Sequence, residues 1–116
     1  MLGASTMQQH NGGQPTGAQV EVAVRAFRML SDATRLRLLW ALAQDEYDLG
    51  NLVTVVGATR PAVSQHLAKL RLAGLVACRP EGRRVLYRAR DSHIRALIAE
   101  AVHHADHEVS RIPRHE

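Results

Sequence analysis

Towards its C-terminal end the chain carries Asp91-Ser92-His93 and, after ten further residues, His104-Ala105-Asp106-His107. Carboxylate oxygen and imidazole nitrogen are donors that hold Zn, Ni and Co, so Asp91, His93, His104 and His107 form a candidate metal-ligand set. Between Asp91 and His107 there is no Pro or Gly, and Ile94, Leu97, Ile98, Ala101 and Val102 recur at the intervals of an amphipathic helix. Asp91 has the short acidic side chain of an N-terminal cap. The spacing predicts a helix that opens near Asp91.

On such a helix, at about 100° per residue, His104 falls roughly 20° from His93 and His107 roughly 40° away on the other side, so all three share a face. Eleven residues nevertheless rise about 16 Å, whereas a metal sits about 2 Å from an imidazole nitrogen. One helix cannot bring both ends to one ion. His104 and His107 are i,i+3 neighbours and can chelate together, and Asp91 and His93 can do so at the first turn. Each helix then carries two half-sites. Antiparallel pairing with the same helix of a second subunit completes two equivalent Asp-His-His-His sites, so the spacing predicts a homodimer. The competing reading is a solvated helix end, where protonated histidines favour the macrodipole. Against it, His93, His103, His104, His107 and His115 put five of the seven histidines in the last 24 positions, interleaved with other sequence and unlike an expression tag. For His103, His115 and His10 the solvated reading carries more weight, although all three are available as additional ligands.

The elements that must position these residues can be read from the rest of the chain. Its 116 residues suit one small domain, to which a dimer would add burial. Aromatics make up 3% against 46% apolar residues, so the core is expected from Leu, Val, Ala and Ile on packed helices. The single Cys78 excludes an intrachain disulfide and a multi-cysteine zinc ribbon. There is no 18-residue apolar run and no basic segment leading into an apolar stretch, so the expectation is a cytoplasmic protein without a membrane partner. Residues 1–17 carry no charge and several Gly, and are expected to be a disordered tail; 18–108 is the expected folded domain, and 109–116 a C-terminal tail.

Within the domain, Val20, Val24, Phe27 and Leu30 follow a helical rhythm from Ala18 to Leu30. Ser31 or Asp32 caps a second helix, whose buried stripe of Leu36, Leu39, Trp40 and Leu42 places Trp40 in the core. Leu49, Leu52, Val53 and Val56 make a short helix ended by Gly57. Thr59 caps the next, where Pro61 is tolerated in the first turn. Val63, Leu67, Leu70 and Gly74 face inward there, while Pro61, Ser64, Gln65, Ala68 and Lys69 offer an outward face of small and hydrogen-bonding residues. These two helices read as a helix-turn-helix, whose second helix can enter a major groove and read base edges through Gln65 and Ser64. Leu75–Arg79 and Val85–Arg88 read as strands around Pro80-Glu81-Gly82, a hairpin whose Arg79, Arg83 and Arg84 are placed for phosphates or the minor groove. The net charge is +4, yet Gly57 to Arg90 holds eight cations against Glu81 alone. Such a block points to a polyanion partner, nucleic acid first, with a merely solvated surface as the alternative.

A mainly α chain with a small β-hairpin, in the order α-α-α-α-β-β-α, resembles the ArsR/SmtB family of winged-helix metal-responsive repressors. The resemblance runs from about Val22 to His107. It rests on Leu30-Ser31-Asp32-Ala33-Thr34-Arg35, Val63-Ser64-Gln65-His66-Leu67-Ala68-Lys69-Leu70, Gly74-Leu75-Val76, and Gly82-Arg83 ahead of Tyr87-Arg88. It implies a homodimeric winged helix-turn-helix, an inverted-repeat operator, and DNA contacts from Arg60, Pro61, Ser64, Gln65, His66, Lys69, Arg79, Arg83 and Arg84. Asp91, His93, His104 and His107 match the family's metal site between subunits. Other members carry a Cys-x-Cys pair where this chain has Asp48 and Gly50, which argues against thiolate sensing of soft ions. Phe27-Arg28-Met29-Leu30 and Ile112-Pro113-Arg114-His115 are similar to an actinobacterial nickel- and cobalt-sensing branch, in which Asp106, His107 and His115 would also be ligands. The effector implied is Ni(II) or Co(II), with Zn(II) next. The resemblance also implies that the metal-free dimer represses and that metal between the C-terminal helices releases it. Two other classes stay open: a winged helix answering a redox or other non-metal signal, and an enzyme, for which no nucleophile with a placed base is found.

Overall fold

The computed structural model describes residues 13–112. Its order is α1 (Gly17–Leu30), α2 (Ala33–Gln44), α3 (Leu49–Val56), α4 (Arg60–Leu72), β1 (Val76–Glu81), β2 (Arg84–Ala89) and α5 (Ser92–Arg111). The helix starts follow local capping chemistry. Asp32, Asp48, Thr59 and Asp91 each accept a backbone N–H with the side chain, and Thr16 with Gln19 forms a reciprocal capping box before α1. Gly57, at φ +68°, closes α3 and lets the chain turn directly into α4.

The core gathers Leu38, Leu39, Ala41 and Leu42 of α2, Leu52 of α3, Val63, Leu67 and Leu70 of α4, Leu75 just before β1, Val76 of β1, and Ile98 of α5. Each fully buried Leu contributes about 1.5–3 kcal/mol relative to exposure. Two expectations are corrected here. Trp40 is not core: it is 41% exposed, because the buried face of α2 centres on Leu38 and Leu42 and position 40 lies nearly opposite. No residue of α1 is fully buried: Ala26, Met29 and Leu30 pack partly against the core, whereas Val20, Val24 and Phe27 of its apolar stripe are exposed.

The hairpin pairs Val76 with Ala89 through to Glu81 with Arg84. Its turn is Gly82-Arg83, one step beyond the expected Pro80-Glu81-Gly82. Gly82 takes φ +60° and Arg83 stays negative, the pattern of a type II′ turn. Pro80 fits within β1 because the sheet has two strands and both are edges. Tyr47, just before α3, adds a short bridge to β2, with Tyr47 N–H to Tyr87 O at 3.0 Å and Tyr87 N–H to Tyr47 O at 2.8 Å. The result is a winged helix-turn-helix, with α3 and α4 as the two-helix unit and the hairpin as the wing. Among the described residues no helix is long and apolar enough to cross a membrane.

Candidate metal centre and nucleic-acid interface

Helix α5 has two opposed faces. Ile98 is fully buried, with Ile94 and Val102 one turn either side partly buried, so this stripe seats the helix on the body of the domain. His93, His104 and His107 occupy the other side and are all exposed. From His103 to Ile112 every residue is exposed, so the C-terminal half of α5 has no packing partner among the described residues. Asp91 caps the helix: one carboxylate oxygen accepts the Ile94 N–H at 3.1 Å, which leaves the other oxygen as a donor. Oxygen and imidazole donors at an accessible surface suit Zn, Ni and Co.

His93, His104 and His107 share a face and Asp91 caps the helix start, but one chain does not bring the four together. Among the described residues no three His, Cys, Asp or Glu side chains converge on a common point. Asp106 is exposed about 100° round from His107, off the His93–His104 face. His103 lies beside His107. His10 and His115 lie outside the described residues.

On α4, Arg60, Pro61, Ser64, Gln65 and Lys69 are exposed together, on the side away from Val63, Leu67 and Leu70. His66 does not join them. Its Nδ1 stands 3.3 Å from an Arg35 guanidinium nitrogen and its Nε2 3.9 Å from Asp32, so it bridges α4 to the start of α2. The Asp32 carboxyl is held below its ordinary range, first by the Arg35 backbone N–H and then by the charges of Arg35 and His66.

The wing is less bare of acid than its sequence suggests. Arg79 donates two bonds to Glu46, at 2.9 and 2.8 Å, and Arg88 stands 4.0 Å from the same carboxylate. Arg84 reaches Asp48 at 3.2 Å and Glu81 at 3.3 Å. The Arg79 hydrogen bond, followed by the charges of Arg79 and Arg88, pulls the Glu46 carboxyl below its usual range, and Glu46 raises Arg79 in return. Arg83 at the tip, like Arg60 and Lys69 on α4, makes no ion pair among the described residues. Glu46 and Asp48 are thus acidic partners of the wing that sequence reading missed. Their one signal is that they flank Tyr47 in an extended bridge, so both point to the same side of it.

The model of the bacterial regulatory protein, arsR family, matches residues 32–77, which span α2 to the start of β1. The HTH-type transcriptional regulator KmtR of Mycobacterium tuberculosis is 48% identical over 97 residues, covering 84% of this chain and 75% of that protein. The HTH-type transcriptional repressor SmtB of the same organism is 34% identical over 86 residues, covering 74% of this chain and 64% of that protein. Among solved structures, the homodimeric winged helix-turn-helix DNA-binding domain Mb0332 of Mycobacterium bovis superposes with a TM-score of 0.76 at 28% identity, covering all of both chains.

Proposed function

The chain belongs to the arsR family of bacterial regulatory proteins, and from that premise we propose a metal-sensing repressor that binds operator DNA as a metal-free dimer and leaves it when Ni(II)/Co(II) or Zn(II) binds. The coarser part stands plainly: it is a DNA-binding transcriptional regulator of winged helix-turn-helix fold and not an enzyme. The observation that carries the finer part is the opposition of faces on α5. Ile94, Ile98 and Val102 seat the helix on its own domain, while His93, His104 and His107 look away from it along a stretch without a partner. A second α5 laid antiparallel against that face brings Asp91 and His93 of one subunit to His104 and His107 of the other. The exposed Val20, Val24 and Phe27 of α1 supply further apolar surface for the same dimer.

When bound, the ion supplies a bridge across the subunit boundary. The chain's own residues carry the consequence to DNA. Asp91 caps α5 only two residues after the buried Ala89 of β2, and the Arg90 N–H between them bonds Leu75 O at 3.0 Å, so a shift of the start of α5 is passed to the base of the wing. Ile98 packs in the same cluster as Leu67 and Leu70 of α4, which ties the tilt of α5 to that of the recognition helix. A dimer fixed in one geometry then presents its two α4 helices at a spacing that no longer matches the half-sites. Coupling is reciprocal, so operator DNA weakens metal binding by the same factor. On α4, Gln65 and Ser64 read base edges, while Arg60, Lys69 and Arg83 hold phosphates. The test is operator anisotropy titrated with Ni(II), Co(II) and Zn(II) in turn. At least one ion must release the wild-type protein and fail to release His104→Ala; release of both sinks the assignment. A repressor acting in this way works in the cytoplasm, where its operator is.

A further inference from the structure

The exposed half of α5 holds a second arrangement that the intersubunit set does not use. His103 and His107 are i,i+4 neighbours, with ring centroids 5.5 Å apart and planes tilted by 43°. Two imidazoles sharing one ion, each nitrogen about 2 Å from it at angles from square to tetrahedral, hold their centroids roughly 4.5–5.2 Å apart. The observed separation exceeds that range by a few tenths of an ångström, which a small side-chain rotation covers. The same two residues line an open cavity of about 360 Å³ together with Glu100, His104, Glu108 and Arg111. Arg111, the one cation there, is turned to Glu108 at 3.4 Å. Side chains on a helix lean towards its N-terminus, so His107 overlies His103 and His103 overlies Glu100.

We infer that His103 and His107 form a two-nitrogen chelate for a divalent late transition metal within a single subunit, and that this chelate loads the intersubunit set through their shared residue, His107. Among the described residues no third donor converges there, and water fills the remaining positions. Such a chelate exchanges its ion readily, and among first-row divalent ions it holds those late in the series best. His103 and His104 flank His107 at i,i+4 and i,i+3. Transfer is one ligand replacement, in which His103 leaves and His104 enters while His107 stays bound. The loading half of the inference rests on the function proposed above; the chelate itself does not.

The experiment follows histidine-ring NMR signals of the full-length protein during Zn(II) addition. In His104→Ala the His103 and His107 rings shift together with one midpoint. In His103→Ala/His104→Ala the His107 midpoint moves to at least about tenfold more Zn(II), as expected when two-point attachment becomes one-point. An unmoved midpoint, or a His103 ring that stays still, overturns the chelate. Both substituted positions are exposed on a helix and Ala is the best helix former, so the variants keep the fold. For loading, His103→Ala alone slows metal-driven operator release severalfold in stopped flow without changing its end point, and an unchanged rate overturns it. If metal fails to release even the wild-type protein while His103 and His107 still titrate together, the repressor reading has failed and the chelate has not.

Discussion

Replacing Glu46 with Gln tests how charge is held on the wing. Glu46 receives two bonds from Arg79 and lies near Arg88, so on the proposed DNA-binding reading the wing's arginines meet the duplex partly neutralised from behind. Gln keeps the shape and removes the charge, which frees one arginine per subunit for a phosphate. Each added phosphate contact steepens the log–log salt dependence of DNA affinity by about 0.9, so two subunits change the slope by about 1.8. Over a fourfold rise in salt, from about 50 to about 200 mM, the variant then loses about twelvefold more affinity than the wild type. Fluorescence anisotropy with a labelled operator across that range reads the difference directly. An unchanged or shallower slope refutes the reasoning and makes Glu46 a brace instead. Acid does not mimic the substitution near neutrality. Arg79 and Arg88 hold the Glu46 carboxyl below its ordinary range, so the pairing is fully present above the usual glutamate pKa and is lost only as pH falls through the lowered value. Between about pH 5 and 8 this group leaves the wild-type slope unchanged.

Gln65→Ala removes a base-edge contact and reduces discrimination between operator and mismatched DNA by about 1–3 kcal/mol, read in competition binding; undiminished discrimination removes Gln65 from base readout. His104→Ala abolishes metal-driven release while metal-free operator affinity stays within about twofold, since the position is exposed on α5 and not on α4 or the wing. Phe27→Asp changes a residue that is 57% exposed within its own subunit. It therefore shifts subunit stability by less than about 0.5 kcal/mol but raises the dimer dissociation constant more than about tenfold, measured by analytical ultracentrifugation. A dimer unaffected by that charge places the interface away from α1.

What the sequence revealed and what it hid divide along sequence separation. Caps at Asp32, Thr59 and Asp91 and the stop at Gly57 are decided within a turn of chain, and all four were legible. The hairpin was legible, but its turn was placed early because Pro80-Glu81-Gly82 looks like a turn when the edge-strand option for Pro is ignored. Periodicity identified apolar faces on α1 and α2 but not whose core they enter. Val20, Val24 and Phe27 look outward, and Trp40 sits opposite the buried stripe rather than in it. The pairing of Arg79 with Glu46 and of Arg84 with Asp48 spans 33 and 36 residues, and no local pattern encodes it. The bridge made by His66 was hidden for the same reason: its partners Arg35 and Asp32 lie more than 30 residues earlier. On α5 the helix, its cap and its histidine face were all legible from spacing.

Mixed dimers test the central claim, that the metal set is completed between subunits. One subunit carries Asp91→Ala and His93→Ala, and the other carries His104→Ala and His107→Ala. Each variant alone has only mismatched half-sites, whereas the mixed dimer restores one complete Asp91, His93, His104, His107 set across its interface. Metal titration of the purified mixed dimer should then show one tightly held ion per dimer, absent from both parents, with metal-driven release of operator restored in part. A mixed dimer that binds no more tightly than either parent contradicts the account.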